Sequence, residues 1–157
     1  MDKLNKEQRH RCMSAIKGKD TKPELLVRKF LFSRGFRYRL NHSRLPGHPD
    51  IVLRKYRTVI FVNGCFWHGH QRCKYFVLPK TNVEFWSEKI ERNRCRDVEE
   101  QRQLASMGWH CITVWECQLK PNPTSTFPPQ NFLVIQHLQF LHIYCGYYKF
   151  SNSTELG

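Results

Sequence analysis

Acidic residues are scarce in this sequence. Its 157 residues include 13 Asp and Glu against 26 Lys and Arg, a formal net charge of +13 at pH 7. So large an excess of basic side chains favours a polyanionic partner. Nucleic acid is the first candidate, because the basic residues occur among aromatics rather than along an amphipathic helix of the membrane-binding type. A basic soluble protein without such a partner is the alternative.

Long apolar runs are missing from the N-terminal region, where residues 1–16 read MDKLNKEQRHRCMSAI. A secretory signal needs an apolar core, so the sequence argues against export and favours a cytoplasmic protein. The apolar run at 132–150 contains two Gln, two His and a Lys, which argues against a membrane span. We predict that this run packs on the domain or meets a partner.

The sequence has no internal repeat, and its length suits one ordinary domain with its own core. Its seven cysteines are an odd number. In a cytosolic chain, cysteine clusters are more typical of metal ligands or structural thiols than of a disulfide framework.

The hydrophobic pattern predicts a mixed α/β sheet flanked by helices. A short basic helix at 5–16 is followed by elements in the order α-β-β-β-α-β. Their predicted ranges are a helix at 21–35, strands at 36–40, 50–53 and 58–62, a helix at 81–107 and a strand at 109–116. The strand at 58–62 is apolar on both faces and belongs in the centre of the sheet. The last helix and strand should complete a right-handed parallel crossover from it.

The two longer helices have recognisable start signals. Thr21 and Glu24 have the T-x-x-E spacing of a capping box, with Pro in the first turn, and Thr81 and Glu84 repeat that spacing. Periodicity in the first of these helices predicts that Arg28 faces solvent. The predicted inward residues are Leu26, Val27, Phe30 and Leu31.

Three metal-ligand residue types lie close together after the central strand. Cys65, His70 and Cys73 have the spacing C-x4-H-x2-C. Thiolate and imidazole favour zinc, and a structural zinc site needs a fourth ligand. Cys117 is the best candidate, because the two parallel strands that precede Cys65 and Cys117 should end at the same edge of the sheet.

Other interpretations of these residues stay open at this point. His68 could replace His70, or Cys111 could replace Cys117. The cysteines of the cluster could also be buried free thiols, a common state for this residue type. We interpret the remaining cysteines, Cys12, Cys95 and Cys145, as structural.

The sequence contains only four aspartates, so their positions are informative. Asp50 opens a strand directly after a proline, where a rigidly held carboxylate would suit a divalent cation that assists phosphodiester hydrolysis. A turn or strand-start residue is the alternative role. Glu24 is the natural acceptor of its capping box, yet a helix N-terminus also suits an acid near phosphate and metal.

Asp97 and His68 are candidates for proton transfer. Asp97 shares a helix face with Ile90 and Leu104, and an acid on an apolar stripe needs a partner. It could fix the tautomer of a catalytic imidazole, or it could pair with a neighbouring arginine, Arg94 or Arg96. His68 follows the central strand and could act as a general base, although a lone histidine is more often structural.

Phe66 and Trp67 lie between a candidate zinc ligand and a candidate catalytic histidine. Such a pair is usually part of a core. In a basic protein it could instead be an apolar wedge inserted between base steps, which would favour weakly paired DNA. Met13, in the basic N-terminal segment, is either a second wedge or an ordinary helix residue.

Several segments closely resemble the very-short-patch repair endonucleases, the Vsr family. The resemblance extends in unbroken order over about residues 8–119. It depends on MSAIKGKDTKPEL (13–25), LPGHPDIVL (45–53), VIFVNGCFWHGHQRC (59–73), PKTNVEFWSEKIERNRCRD (79–97) and GWHCITVWEC (108–117). It implies a restriction-endonuclease-like fold and an enzyme that nicks DNA 5′ of a thymine mispaired with guanine, the product of 5-methylcytosine deamination.

The resemblance also implies roles for single residues. Asp50 matches the magnesium-binding aspartate and His68 the catalytic histidine, while Glu24 and Asp97 match supporting acids. The zinc ligands would be Cys65, His70, Cys73 and Cys117. The intercalating residues would be Phe66, Trp67 and Met13. The implied cofactors are catalytic Mg²⁺ and structural Zn²⁺.

Two departures from the family pattern affect what can be carried over. His70 and Cys73 are separated by two residues, where some relatives have one. The sequence after Lys120 does not resemble the charged C-terminal segment expected of the family. We therefore predict an endonuclease domain at 1–119 and a divergent tail at 120–157, to which no DNA or partner contact is transferred.

The expected partner is double-stranded DNA containing a T·G mismatch, with mismatch-repair proteins as further candidates. We expect a monomer without membrane association, in the bacterial cytoplasm at the nucleoid. Two other functions remain alternatives. One is a restriction-type nuclease without mismatch preference, and the other is an inactive, zinc-stabilised DNA-binding module.

Overall fold

The computed structural model describes residues 5–15 and 18–120, except the side chains of Lys6, Arg9, Cys12 and Met13. The predictions for the tail after Lys120, and for Cys12 and Cys145, lie outside the described residues. The helices are α1 (Lys6–Ser14), α2 (Lys22–Ser33) and α3 (Val83–Ser106), and the strands are β1 (Arg39–Leu40), β2 (Ile51–Leu53), β3 (Thr58–Asn63) and β4 (His110–Trp115). Within these described ranges, no helix has the length and apolar character needed to span a bilayer.

The strands form one mixed sheet in the order β1-β2-β3-β4. The first two pairings are antiparallel and the β3–β4 pairing is parallel, as predicted. β3 lies inside the sheet between β2 and β4, which confirms the prediction from its two apolar faces. The parallel pair brings the carboxyl ends of β3 and β4 to one edge, since Asn63 lies opposite Trp115.

Each face of the sheet is covered by one long helix. Alternate strand residues point to opposite faces, so the residues of β2 and β3 divide between two cores. On one face the buried side chains are Val27, Leu31, Ile51, Leu53, Ile60 and Val114. On the other they are Leu45, Val52, Val59 and Leu104. The first core belongs to α2 and the second to α3, so the expected helix-flanked sheet is present.

The orientation predicted for α2 is partly wrong. Arg28 is buried, at 6% exposure, and Leu26 is 52% exposed. Glu24 and Arg28 lie one turn apart and their side chains pair, with Arg28 Nη2 2.7 Å from Glu24 Oε2. The pair can occupy the buried stripe beside Val27 and Leu31 because its two charges neutralise each other.

Two other local predictions need correction. The strand predicted at 36–40 contains only Arg39 and Leu40, and residues 36 and 37 fall opposite the 3₁₀ turn that follows β2. The N-cap of α3 is Asn82 rather than Thr81, and it has a left-handed backbone without a side-chain capping bond. The capping box of α2 at Thr21 and Glu24 is confirmed.

Candidate active site and metal centre

One cleft of about 1180 Å³ contains every acid and the histidine that sequence reasoning proposed for catalysis. Asp50 lies at the start of β2, Glu24 in the first turn of α2, Asp97 on α3 and His68 in the loop after β3. These elements come from both faces of the sheet and meet at the edge where β3 ends. Lys19, Lys22 and Arg96 also line the cleft and supply positive charge.

The Asp50 carboxylate is held by the sheet itself. Its Oδ2 accepts a hydrogen bond of 2.7 Å from the Val62 backbone N–H. The Ile51–Ile60 pair is the last of the β2–β3 ladder, so the Val62 amide lies beyond it and the side chain of Asp50 satisfies that donor. This bond fixes the carboxylate at a strand terminus, as the sequence predicted.

Burial raises the pKa of Asp50 above its ordinary value. The Val62 hydrogen bond opposes that rise, while the nearby charge of Glu24 adds to it and those of Arg28 and His68 reduce it. A desolvated carboxylate beside a second acid favours a cation in its vicinity. Asp50 therefore has the donor type and the electrostatic setting for a hard divalent cation such as Mg²⁺.

Glu24 is engaged by its own helix terminus. Its Oε1 accepts from the Thr21 hydroxyl at 2.8 Å, and its Oε2 accepts from the Asp20 backbone at 3.1 Å and from Arg28 at 2.7 Å. Arg28 also contacts the Asp20 carboxylate. Both roles considered for Glu24 thus have a basis, since it caps α2 and lines the cleft. Sequence reasoning missed Arg28, although its i, i+4 spacing from Glu24 was a signal.

His68 pairs with Asp97. Nδ1 of His68 lies 2.5 Å from Oδ2 of Asp97, and Arg96 is a weaker partner at 3.8 Å from Oδ1. An ionised carboxylate only accepts hydrogen bonds, so Nδ1 carries the proton and Nε2 of a neutral ring is the basic nitrogen. Of the two partners proposed for Asp97, the structure brings the histidine closer. The side chains are 24% and 17% exposed, so both are accessible from the cleft.

The loop that carries His68 is packed tightly on α3. Gly69 has φ +57°, and a Cβ there would lie 2.7 Å from Cγ2 of Ile90. Only glycine fits this close approach without strain. Asn93 adds a hydrogen bond of 2.9 Å from its Nδ2 to the backbone oxygen of Trp67. The loop is therefore aligned along α3, which places His68 beside Asp97.

Phe66 and Trp67 are half-buried and belong to an aromatic cluster. Their rings are 5.2 Å apart, edge to face, and each also contacts Trp86, at 5.4 and 6.0 Å. Trp86 contacts Phe85, and the ammonium of Lys89 lies 5.6 to 5.7 Å from three of the rings. Sequence reasoning did not identify Trp86, because nothing in its helix pattern indicates a contact with a loop. Met13 lies on α1, but its side chain is not among those described.

The four predicted zinc ligands come together. The candidate ligand atoms of Cys65, His70, Cys73 and Cys117 all lie within 4.8 Å of one another. Nδ1 of His70 is 3.6 Å from Sγ of Cys65 and 3.4 Å from Sγ of Cys117. Tetrahedral zinc with ordinary bond lengths separates sulfur and nitrogen ligands by about 3.6 Å. The donor set and its spacing therefore fit zinc.

The competing assignments do not match this geometry. His68 is directed to Asp97, and Sγ of Cys111 lies 3.9 Å from the backbone oxygen of Gln101, beside the α3 core. Cys111 is paired with Val59 near the start of β3, whereas Cys65 follows the end of that strand. Cys95 is exposed on α3 and has no part in the cluster.

Ionisation of two of the three clustered thiols, those of Cys65 and Cys117, is opposed by burial and would be favoured by a cation. Burial raises the pKa of the Cys65 thiol to about 12 and also raises that of Cys117. Burial lowers the pKa of His70, which keeps the ring neutral and its lone pair available. A metal ion would have to displace the thiol protons, as soft divalent cations do in structural sites.

Beside the four candidate metal ligands, the loop after β3 makes a further contact with the segment after β4. The ammonium of Lys120 lies 3.9 Å from the centre of the Tyr75 ring and 3.2 Å from Oε1 of Glu116. Tyr75 follows Cys73 in the loop, and Glu116 precedes Cys117 after β4. This contact spans the same two chain segments that the four candidate ligands connect.

A basic cleft with a fixed aspartate, a histidine–carboxylate pair and an adjacent Cys₃His cluster has the groups expected of a metal-assisted phosphodiesterase. Comparison with known proteins identifies the family to which this chain belongs. The family model described as "DNA mismatch endonuclease Vsr" matches residues 1–74. The chain belongs to the Vsr family, as the quoted segments predicted.

Similar proteins include both mismatch and nicking endonucleases. The chain is 51% identical over 119 residues to the type II nicking enzyme V.NmeAIP of Neisseria meningitidis, covering 76% of this chain and 84% of the relative. It is 48% identical over 118 residues to the type II nicking enzyme V.XorIIP of Xanthomonas oryzae pv. oryzae, covering 75% and 86%. It is 42% identical over 119 residues to the DNA mismatch endonuclease Vsr of Escherichia coli, covering 76% of each.

Proposed function

We propose that this protein is a magnesium-dependent DNA endonuclease that nicks on the 5′ side of the thymine in a T·G mismatch. The main support is the convergence of Asp50 and the His68–Asp97 pair on one basic cleft. Membership of the Vsr family supports DNA as the substrate. A restriction-endonuclease-like fold is part of the proposal, and the mixed sheet with a helix on each face is consistent with it.

The residues of the cleft have separable tasks in this proposal. Asp50 would hold the magnesium ion, which would supply charge stabilisation for the scissile phosphate and help to activate water. His68 takes a proton on Nε2 from the attacking water, and Asp97 keeps Nδ1 protonated and stabilises the imidazolium that results. Glu24 and Arg28 fix the start of α2 beside Asp50. Lys19 and Lys22 attract the phosphate backbone.

Mismatch preference is assigned to the aromatic side chains next to this machinery. Phe66 and Trp67 precede His68 directly, so a base step opened by their rings would lie close to the scissile phosphate. Unstacking costs a few kcal/mol per step and least at a mismatch, which favours T·G over a paired site. Met13 is proposed as a further wedge from the family resemblance. Cys65, His70, Cys73 and Cys117 would hold a structural zinc ion, which would keep the loop in place.

Matched duplexes that differ at one base test the mismatch assignment. We expect the purified protein with Mg²⁺ to nick a T·G duplex 5′ of the thymine at least about 30-fold faster than the T·A duplex, the ratio given by about 2 kcal/mol of unstacking cost. A panel of duplexes with varied flanking bases identifies the preferred sequence around the mismatch. A chelator control shows whether nicking depends on the metal. Equal nicking of both duplexes would contradict the mismatch preference.

That contrary result would favour a second candidate, a nicking endonuclease that acts without a mismatch. The names of two of the most similar relatives, both type II nicking enzymes, support keeping this candidate. Salt-sensitive binding with no product in Mg²⁺ would instead indicate an inactive DNA-binding module. The same duplex panel therefore separates all three functions.

The His68–Asp97 contact leads to a separate prediction. In Asp97→Asn the side-chain amide can donate to Nδ1 and stabilise the wrong tautomer, so we expect kcat for nicking to fall about 10²- to 10⁴-fold. The Kd for DNA should change little, because the Asp97 side chain is only 17% exposed and its Oδ2 is engaged by His68. Single-turnover nicking and a binding titration measure the two effects. An unchanged kcat would remove Asp97 from the proposed mechanism.

A further inference from the structure

Trp115, the last residue of β4, lies flat against the imidazole of His70. The two ring centroids are 4.0 Å apart and the planes differ by 1°. The contacts of the Phe66 cluster, in contrast, are edge to face at 5.2 Å or more. The stack covers one face of the ring whose Nδ1 is directed at Cys65 and Cys117.

The indole is anchored to the sheet and not to the loop that it contacts. Trp115 is paired with Asn63 in the parallel β3–β4 ladder. Its backbone N–H also donates a hydrogen bond of 2.9 Å to Oε1 of Gln118, inside the 3₁₀ turn that contains Cys117. The backbone of Trp115 is therefore held by two contacts, the β3–β4 pairing and the bond to Gln118, independently of the stack on His70.

We propose that Trp115 is a positioning residue for His70 and thereby for the metal-binding loop. An imidazole can rotate about its Cβ–Cγ bond, and only a narrow range of that rotation aims Nδ1 at the sulfur atoms. A rigid aromatic plane stacked on the ring restricts the rotation to that range. Because Trp115 precedes Cys117 by two residues, the same short segment supplies one ligand and orients another. This inference depends on the proposed zinc site.

The orientation of His70 also affects the catalytic part of the loop. His70 follows Gly69 and His68, and its backbone N–H donates to the Cys65 oxygen at 3.0 Å. A ring that turns away from the sulfur atoms would release the only nitrogen ligand of the cluster and loosen this turn. Trp115 thus links the end of the sheet to the segment that carries His68.

Zinc release from the full-length, zinc-loaded protein tests the proposal. We expect Trp115→Leu to lose zinc to a chromogenic chelator about tenfold or more faster than wild type, the usual effect of removing an outer partner of a metal ligand. Trp115→Phe keeps a ring that can stack and should show a smaller change. The matched control is Trp109→Leu, at the other end of β4, where the indole packs on the α3 core and beneath Arg57. We expect its zinc release to match wild type even if its melting temperature falls.

A second measurement reports on ligand geometry rather than on stability. At full occupancy by Co²⁺, the thiolate-to-cobalt absorption of Trp115→Leu should shift from that of wild type, and Trp109→Leu should not shift. The inference would be overturned if Trp115→Leu released zinc at the wild-type rate. It would also be overturned if Trp109→Leu released zinc as fast as Trp115→Leu. If wild type itself binds no zinc, the proposed metal centre fails together with it. If wild type binds zinc but Trp115→Leu behaves identically, only the inference fails.

Discussion

Asp50→Asn is expected to abolish magnesium-dependent nicking while leaving mismatch binding intact. The substitution keeps the size of the side chain and an oxygen that can accept the Val62 hydrogen bond. It removes the negative charge that would hold the cation, so the loss should be at least about 10³-fold, within the range seen for groups that act directly in the chemical step. Single-turnover nicking and DNA binding in the same buffer measure the two properties. The larger change Asp50→Ala should be equally inactive.

The same substitution should not destabilise the protein in the absence of metal. The folded-state pKa of Asp50 is raised from 3.8, so its charged form opposes folding at neutral pH. This cost to the free energy of folding is fully present above the raised pKa. It disappears as the pH falls towards 3.8 and below, where Asp50 is protonated in both the folded and the unfolded state. We therefore expect metal-free Asp50→Asn to melt at or above the wild-type temperature at neutral pH, with the difference shrinking on acidification.

A matched control separates the specific effect from a general change of charge. Glu91→Gln removes one negative charge from an exposed position on α3, where Glu91 forms an ion pair with Arg94. We expect this variant to nick and bind as wild type. Undiminished nicking by Asp50→Asn would contradict the catalytic assignment. Inactivity accompanied by a large fall in melting temperature would contradict the electrostatic account of Asp50.

Most of the candidate metal cluster could be predicted from local sequence patterns. Three candidate ligands were evident from spacing alone, and Cys117 followed from the prediction that β3 and β4 are parallel. The structure confirms the parallel pairing and the proximity of all four residues. Strand direction could be predicted because a long helix connects the two strands, which excludes a hairpin. The spacing favoured His70 and left His68 as an alternative, which the structure removes because His68 pairs with Asp97.

The side-chain contacts in the candidate active-site cleft were less predictable from the sequence. Periodicity correctly placed Asp97 on the stripe of Ile90 and Leu104, but it could not choose between histidine and arginine as its partner. It assigned Arg28 to solvent because a single charged residue is costly to bury. In the fold, Arg28 shares the buried stripe with Glu24, and only the pair makes this burial tolerable. The i, i+4 spacing of Glu24 and Arg28 indicates that they can pair, but the periodicity of single residues does not show that the pair is buried. The contact between Asp97 and His68 joins distant segments and has no local signal.

Loss of one zinc ligand should produce the largest change in stability. Cys117→Ser removes the ligand that connects the loop after β3 to the segment after β4. A ligand present at about 1,000 times its Kd stabilises the folded state by about 4 kcal/mol, which for a domain of this size corresponds to a fall of about 10 °C in melting temperature. We expect Cys117→Ser to bind no stoichiometric zinc, to melt about that much lower and to lose nicking. Metal analysis, thermal melting and the T·G assay measure these effects.

The control for this prediction is another cysteine of the same chain. Cys95 is exposed on α3 and lies outside the metal cluster, so Cys95→Ser should retain zinc, stability and nicking. Removal of the metal from wild type by a chelator should reproduce the behaviour of Cys117→Ser. Added zinc should restore the chelated wild-type protein but not the variant. We expect the sheet to persist after either treatment. Near Cys117, only Val114 belongs to the buried cores and Leu119 packs against one of them in part, while the remaining core residues come from other segments. In the proposed site, a bound zinc ion would fix the loop and with it the position of His68 relative to Asp50. A Cys117→Ser variant that keeps its zinc and its melting temperature would show that this loop is held by packing alone.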